Sequence, residues 1–552
     1  MKIITVDLPP PAGASLHRDY LSGKESVRAF FRYSWDDPAS LRTRARFLAG
    51  HYRQDRERLA GALAAYNSSL EAGTAVLENI ALLRRPDTLV VVGGQQPGLC
   101  TGPLYTIYKA ITTIILARRA TAALGVPVVP CFWVASEDHD FEEVNRVYLL
   151  DREYRLRCLE LSFRPEGRKS AGHVPVGVEG RRILEELDLV TPATEFKGDV
   201  LHLLELGPEE NPSLAGWFAR IMSRLFTPWG LVMVDPMLPE IRQLSAPVFQ
   251  RALELAPEMG RLLEETTRAM EARGYRRQVE REEGQANLFI YLKGERTALF
   301  REDKRVFTRS GELSREVPEM LELAGERPDL FSPNVVLRPV VQDYLLPTVA
   351  QVTGPHELVY LAQMGKIYGL FGMEMPVLFP RLHCTLVEPR VRDLLERYGL
   401  EVAESLDLRR LETRREECLA EADRLNLPEL FRQEKERIAA GYRELIERVR
   451  CIDEGLFRLG EENLGRILAQ VAYLEGKALQ RHRQAHGNML RHFQIISDSL
   501  CPEGRPQERV LSIWSFLVKY GRGMLAGLLE GVRLEGYQQI CYLNGWGGGD
   551  GG

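Results

Sequence analysis

The sequence lacks the features that mark a disulfide-stabilised or membrane-spanning protein. Its 552 residues include eight cysteines, and no two of them have the CxxC spacing of a zinc site or a redox pair. No stretch approaches the roughly 18 consecutive apolar residues that a membrane helix needs. The first residues, MKIITVDLPPPAG, carry one lysine, an early aspartate and three prolines, unlike a signal peptide. We therefore expect a soluble, cytoplasmic protein with reduced cysteines.

An excess of either charge is also absent. The 72 lysines and arginines nearly balance the 77 acidic residues, and the net charge is -5. This balance excludes a global basic field, so we expect neither a nucleic-acid nor a membrane partner. A hydrophobic fraction of 45% excludes a wholly disordered or collagen-like chain. At about 150 residues per domain, the length allows three to four domains.

Short apolar runs alternate with helical segments along residues 1–390. This alternation predicts a doubly wound α/β core with a parallel sheet. More polar segments at about 151–215 and 270–330 predict an inserted lobe, with short antiparallel strands at 275–292 and 297–308. The predicted core strands are 88–92, 128–135, 230–234, 349–353 and 377–379.

The composition changes over residues 391–500, which are rich in Glu, Arg and Leu. After Pro428, apolar residues step by four and three, which predicts one long helix with a coiled-coil seam. Pro428 is predicted to separate this helix from a preceding one at 408–426, and an antiparallel helical hairpin follows. The hairpin packs either on itself or on a second subunit. Residues 501–545 are predicted to return to the core, and 546–552 to form a frayed tail. The seam residues are Ile438, Tyr442, Leu445, Val449, Ile452, Leu456 and Leu459.

The first candidate site follows the first core strand. The letters GGQQPG lie between this strand and a helix that opens with TGPLYTIYK. Glycines let backbone N–H groups approach a ligand, and a helix N-terminus attracts anions. The alternative is a tight turn with capping residues. The predicted ligand-binding residues are Gly94, Gln95, Gln96, Thr101, Gly102, Tyr105 and Lys109.

The second candidate site is SEDHD, directly after the strand ending FWVA. Ligands bind outside the carboxyl ends of parallel strands, so this segment and the first site are expected to share one crevice. His139 is a candidate general base, oriented by Asp138 or Asp140. Alternatively, Glu137, His139 and Asp140 hold a metal, or the acids only favour a helix N-terminus. Asn145 follows in the same segment as a candidate binding residue.

Three further segments complete the predicted crevice. Arg338 lies in an apolar setting, where an arginine needs a carboxylate or phosphate partner, either a ligand or Asp343. The strand at 349–353 ends in TGPHE, and RLH follows the next strand as a further lining candidate. The predicted binding residues here are Arg338, Gln342, Thr353, Gly354 and Glu357.

Four long strings carry a family resemblance: GQQPGLCTGPLYTIYK, FWVASEDHDFEEVN, SPNVVLRPVVQDYLLPTVAQVTGPHELVYLAQ and PRLHCTLVE. The chain resembles the cysteine ligases of bacillithiol biosynthesis over nearly its whole length. The resemblance implies a Rossmann-like core, a connecting insertion and a C-terminal coiled coil that forms a homodimer. It also implies a ligase that joins the carboxyl group of L-cysteine to the amine of glucosaminyl-malate through an amide.

The implied reaction suggests roles for the candidate residues. A free carboxylate must be activated, so we expect ATP with magnesium, through an acyl-adenylate or an acyl-phosphate, and no tightly bound metal. Arg338 and Lys109 are candidate clamps for the malate carboxylates. His139 or Asp140 is the candidate base, and Gln95, Gln96 and Thr101 are candidates for hydroxyl groups. The alternatives are a dimeric nucleotide- or sugar-binding scaffold without turnover and a metal-dependent hydrolase.

Overall fold

The computed structural model describes residues 2–6, 15–208, 211–280, 282–534 and 538–544. The segment 546–552, for which a frayed tail is predicted, lies outside these ranges. The chain forms two compact units, one of residues 1–386 and 507–552 and one of residues 387–506. Within the described ranges, no helix combines the length and the apolar character that crossing a membrane requires.

The described residues form fifteen strands. They are β1 (Lys2–Val6), β2 (Leu89–Gln95), β3 (Val128–Val134), β4 (Arg146–Leu150), β5 (Leu156–Glu160), β6 (Val232–Val234), β7 (Gln285–Leu292), β8 (Glu295–Glu302), β9 (Arg305–Phe307), β10 (Ser314–Glu316), β11 (Phe331–Pro333), β12 (Thr348–Thr353), β13 (Val377–Pro380), β14 (Cys384–Val387) and β15 (Gln538–Tyr542).

The α-helices before residue 386 are α1 (Ser15–Leu21), α2 (Glu25–Arg28), α3 (Pro38–His51), α4 (Arg56–Ser69), α5 (Thr74–Leu82), α6 (Leu104–Leu124), α7 (Phe141–Val144), α8 (Gly177–Val190), α9 (Lys197–His202), α10 (Leu214–Phe226), α11 (Pro239–Glu271), α12 (Val317–Glu326), α13 (Arg338–Leu345), α14 (Pro355–Ala362) and α15 (Gly365–Leu370). Those that follow are α16 (Pro389–Tyr398), α17 (Val402–Ser405), α18 (Leu408–Glu421), α19 (Leu427–Arg450), α20 (Glu454–Ala485), α21 (Gly487–Leu500), α22 (Trp514–Tyr520) and α23 (Gly523–Gly531).

The central sheet is parallel, and its strands lie in the order β13-β12-β2-β3-β6. Numbered along the chain within this sheet, the order is 5-4-1-2-3, as in a doubly wound Rossmann-like sheet. The order reverses between β2 and β12, so a crevice opens there at the carboxyl ends of the strands. The five predicted core strands are confirmed, and they place the predicted GGQQPG and TGPHE segments on either side of this reversal.

The central sheet is covered on both faces. Val90 and Val92 pack into one apolar core, whereas Val91 between them packs into the other. This follows from the twofold side-chain period of a strand, and it explains why β2 is a continuous apolar run. Gly94 then lies so close to β3 that a Cβ atom would come within 2.8 Å of the Trp133 carbonyl oxygen.

The lobe contains a second, antiparallel sheet in the order β10-β9-β8-β7-β11. The predicted antiparallel strands are confirmed for 285–292, 295–302 and 305–307, whereas the described residues 275–280 and 282–284 form no strand. The strands β1, β15 and β14 form a third sheet. β15 thus belongs to the first unit, as do α22 and α23.

The second unit contains a helical hairpin, formed by α19 and α20. The prediction of one continuous helix over the apolar seam is wrong. The chain turns at 451–453, where Asp453 accepts a hydrogen bond from the Gly455 amide at 2.7 Å and begins α20. The seam residues are therefore divided between two helices and the turn, which holds Ile452. Ile446, which lies outside the predicted seam, is buried.

Candidate active site

A cavity of about 680 Å³ opens at the reversal of the central sheet. The ends of β2, β3 and β12 form one wall, and β7, β8 and β11 of the lobe contribute another. Eleven of the predicted site residues line this cavity. They are Gly94, Gln95, Gln96, Tyr105, Glu137, Asp138, His139, Asp140, Arg338, Gly354 and Glu357.

Six predicted site residues lie outside the cavity lining. The reason is that they are buried in the protein or hydrogen-bonded to other side chains. Asn145, for example, donates to Glu160 at 2.9 Å, and Gln342 donates to Asp343 at 3.2 Å. The six are Thr101, Gly102, Lys109, Asn145, Gln342 and Thr353.

Lys109 is buried behind the cavity wall instead of reaching into it. Its ammonium group forms an ion pair with Glu357 and donates to the Gly94 carbonyl at 2.7 Å and to Gln95 Oε1 at 3.0 Å. Burial lowers the pKa of Lys109, and the charge of Glu357 opposes this effect. Lys109 therefore joins the end of β2 to the first turn of α14 and fixes the backbone at the reversal, which leaves it no donor for a malate clamp.

Arg338, unlike Lys109, has no ion-pair partner. No carboxylate in the described part of the chain lies within ion-pair distance of its guanidinium. Its guanidinium donates to the Tyr360 hydroxyl at 3.0 Å and to Gln342 Oε1 at 3.4 Å. Asp343, the predicted internal alternative, accepts instead from the Tyr368 hydroxyl at 2.6 Å. A cationic guanidinium thus borders the cavity with neutral hydrogen-bond partners, and the charge of Glu357 acts on it from beyond ion-pair distance.

The acidic segment after β3 divides into two groups. Glu137 is buried and forms an ion pair with Arg242 of α11 at 2.5 Å. Asp138 instead accepts from Gln96 Nε2 at 2.6 Å and from the His139 amide at 2.8 Å. Glu137, which belongs to the alternative metal set with His139 and Asp140, is thus engaged with an arginine and lies outside the group whose ligand atoms come close together.

Asp138, His139 and Asp140 do place one ligand atom each within 4.8 Å of one another. However, Arg296 of β8 lies 3.1 Å from His139 Nδ1. A fixed guanidinium at this distance repels a cation, so this cluster does not favour a metal. Glu143, which follows on α7, has a raised pKa because of desolvation and the nearby charge of Asp140.

Arg381 forms a second buried charge cluster at the cavity edge. Its guanidinium makes two hydrogen bonds with Glu508, at 3.0 and 2.7 Å, and His383 Nδ1 lies 2.8 Å from the same carboxylate. Burial alone would raise the pKa of Glu508, but Arg381 and His383 outweigh it and hold this pKa below its usual range. RLH was predicted to line the crevice, and Arg381 does line it.

Sequence reasoning missed several residues that shape the site. Arg242, Arg296 and Glu508 come from segments far along the chain, and no local motif marks them. Asn287 and Phe289 of the lobe strand β7 also line the cavity. The alternation of polar and apolar residues in QANLFIYL is the signal that could have indicated these two residues, because it is typical of a strand with one face toward a site.

A parallel sheet of this order, with a lobe beside its reversal and a separate helical hairpin, defines a Rossmann-like α/β protein extended by a coiled coil. Residues 1–382 match the family model "Bacillithiol biosynthesis BshC, N-terminal Rossmann-like domain". Residues 384–542 match the model "Bacillithiol biosynthesis BshC, C-terminal coiled-coil domain". The chain belongs to the BshC family, which confirms the predicted family and fold class.

Three curated relatives that span nearly the whole chain are each named "Putative cysteine ligase BshC". One from Symbiobacterium thermophilum is 40% identical over 531 residues, which cover 94% of this chain and 95% of the relative. One from Heliobacterium modesticaldum is 38% identical, with 93% and 94% covered. One from Geobacillus kaustophilus is 35% identical, with 97% and 99% covered. These names agree with the prediction of a ligase.

Proposed function

We propose that this chain joins the carboxyl group of L-cysteine to the amine of glucosaminyl-malate, with ATP and magnesium as the energy source. The family and the names of the relatives support a cysteine ligase. The cavity at the sheet reversal supports small-molecule substrates, because about 680 Å³ lies within the usual range of ligand sites.

Arg338 is the observation that carries this proposal. A guanidinium with only neutral protein partners, at the edge of a cavity, favours a ligand carboxylate that accepts two parallel hydrogen bonds. The malate group of the proposed substrate supplies such carboxylates. Lys109 supports the same site indirectly, because it holds β2 and α14 in place.

The proposed reaction has two steps. A cysteine carboxylate oxygen attacks phosphorus of ATP and displaces pyrophosphate or ADP, which gives an acyl-adenylate or an acyl-phosphate. The sugar amine then attacks the acyl carbon, and AMP or phosphate leaves as the amide forms. The proton lost by the amine goes to a carboxylate, for which Asp140 and Glu143 at the cavity are candidates.

A direct assay tests this function. The purified full chain is incubated with cysteine, glucosaminyl-malate, ATP and magnesium, and the product is detected by mass, with a matched reaction that omits ATP. We expect a thiol product and the release of AMP or ADP only in the complete mixture. Ligand binding without product would instead indicate a scaffold. Turnover that needs no ATP and that stops when divalent metal is chelated would indicate a hydrolase.

We further propose that the hairpin of α19 and α20 joins two copies of the chain in the cytoplasm. Large apolar side chains stay exposed on this hairpin, including Leu459 at 60% and Tyr473 at 64%. These two residues lie two heptads apart on α20, so they share one face of the helix. Leu474 adjoins this face and is 60% exposed.

A further inference from the structure

His139 has a hydrogen-bonding arrangement that assigns the position of its proton. Its Nδ1 atom lies 3.1 Å from the Arg296 guanidinium nitrogen. An arginine can only donate hydrogen bonds, so Nδ1 must accept. The imidazole is then neutral and carries its hydrogen on Nε2.

Arg296 is held firmly in the position that this arrangement requires. Its Nε donates to Ser332 Oγ at 3.0 Å, and a terminal nitrogen donates to the Pro333 carbonyl at 2.6 Å. The guanidinium also stacks on Phe289, with its carbon 4.1 Å from the ring centre. Arg296 is 6% exposed, and no carboxylate of the described residues pairs with it.

The arrangement needed for a histidine base is not formed. A base that uses Nε2 needs an acceptor on Nδ1–H, commonly a carboxylate. The closest carboxylate oxygen of Asp138 lies 3.8 Å from Nδ1, which is too far for a hydrogen bond. Both Asp138 oxygens are already occupied, by Gln96 and by the His139 amide.

The surrounding charges also favour the neutral imidazole. Burial lowers the pKa of His139, and the positive charges of Arg296 and Arg168 lower it further. The negative charges of Asp138 and Asp140 oppose this shift without reversing it. His139 lines the cavity, and among the described residues its Nε2 has no hydrogen-bond partner in the protein.

We propose that His139 is a neutral hydrogen-bond donor to an anionic acyl or phosphoryl oxygen of the substrate, and that Arg296 is the positioning residue that fixes its tautomer. This assignment rests on the proposed function for the identity of the substrate, but the tautomer itself does not. A fixed N–H group aimed at developing negative charge stabilises a transition state without a proton transfer. The role of base then passes to a carboxylate.

The tautomer is tested on the full chain without substrate, by nitrogen NMR of ¹⁵N-histidine protein, with the His139 signals assigned from His139→Gln. We expect Nε2 protonated and Nδ1 unprotonated at neutral pH and above. In Arg296→Met, we expect the Nδ1 signal to move and the pKa of His139 to rise toward about 6.5. A proton on Nδ1, an imidazolium near neutral pH, or an unchanged spectrum in Arg296→Met would overturn the proposal.

The ligation assay distinguishes a hydrogen-bond donor role of His139 from a base role. His139→Ala should lose about 100-fold or more in kcat, as expected for the loss of one such donor. His139→Gln keeps an N–H donor but has no basic nitrogen, so it should keep clearly more activity than the alanine variant. Equal losses in the two variants would contradict the donor role. Absence of turnover in the unchanged protein would count against the proposed function, and the NMR result would still decide the tautomer.

Discussion

Arg338 is the residue through which we propose that the substrate is recognised, because its guanidinium has no carboxylate partner within ion-pair distance in the described protein. We expect Arg338→Met to raise the KM for glucosaminyl-malate and to lower kcat/KM by about 30-fold or more, since the loss of a buried charged contact costs about 2–5 kcal/mol. The KM for cysteine should change little. Steady-state kinetics with each substrate varied in turn measure both values.

Arg305→Met provides the matched control, because Arg305 lies on the lobe strand β9, is exposed and does not line the cavity. It should leave both KM values unchanged. An equal effect of the two arginine variants would show that net charge, and not a contact at Arg338, controls binding.

Glu508 couples stability to pH. Its folded-state pKa is depressed, so its contribution to stability is present above the unfolded pKa of about 4.3 and is lost as the pH falls through the folded value. Glu508→Gln leaves Arg381 buried without its partner, which should lower the free energy of unfolding by about 3–5 kcal/mol at pH 7. Urea unfolding at pH 7 and pH 3.5 measures this difference, which should be smaller at the lower pH.

The exposed ion pair of Lys293 and Glu312 offers the matched control. Glu312→Gln should have little effect on unfolding at either pH, because solvent screens an exposed pair. A Glu508→Gln variant as stable as the unchanged protein at pH 7 would show that the buried cluster does not stabilise the fold.

At the residue scale, the sequence could indicate which segments form the site but not how their side chains pair. SEDHD and GGQQPG were recognisable because strand ends and glycines leave local patterns. The partner of His139 is 157 residues away along the chain, and that of Arg381 is 127 residues away. Such pairs depend on how the lobe and the C-terminal segment fold back onto the sheet. The prediction that His139 is a base therefore could not take its contact with Arg296 into account.

At the scale of elements, the strands of the core were predictable because burial on both faces demands continuous apolar runs. The turn at 451–453 was not, because the spacing of three and four continues through it from Val449 to Leu456. A heptad pattern reports apolar spacing, but it does not report where a helix ends. The local signal of the break was Asp453, which caps the start of the next helix, α20.

The helices α19 and α20 approach each other closely at Gly460. A Cβ atom on Gly460 would come within 2.6 Å of Ile446 Cγ1, and Ile446 is buried between the helices. Gly460→Ala should therefore destabilise the hairpin by about 1–3 kcal/mol, despite the better helix propensity of alanine. Thermal unfolding followed by circular dichroism at the helical band measures the change.

Gly465→Ala on the same helix is the control, because no atom lies within 4 Å of the added Cβ. It should gain up to about 1 kcal/mol from helix propensity. If both variants gained stability alike, the contact between Gly460 and Ile446 would not limit how closely the helices pack.

At the scale of the whole molecule, the exposed apolar face of the hairpin predicts self-association. Charges on this face should prevent it, because a carboxylate cannot be buried without a partner. We expect the unchanged protein to sediment as a species of twice the 62.6 kDa chain mass, and Leu459→Glu with Leu474→Glu to sediment as a single chain. Analytical ultracentrifugation over a range of concentrations measures the state.

Leu189→Glu is the matched control for this test, because Leu189 on α8 is 80% exposed but belongs to the first unit. It should leave the mass of the assembly unchanged. The cavity is lined by residues of the first unit alone. The single-chain variant should therefore keep its kcat, and a loss of activity on dissociation would show instead that the second copy supports the site. A single-chain mass for the unchanged protein would contradict the proposed dimer directly.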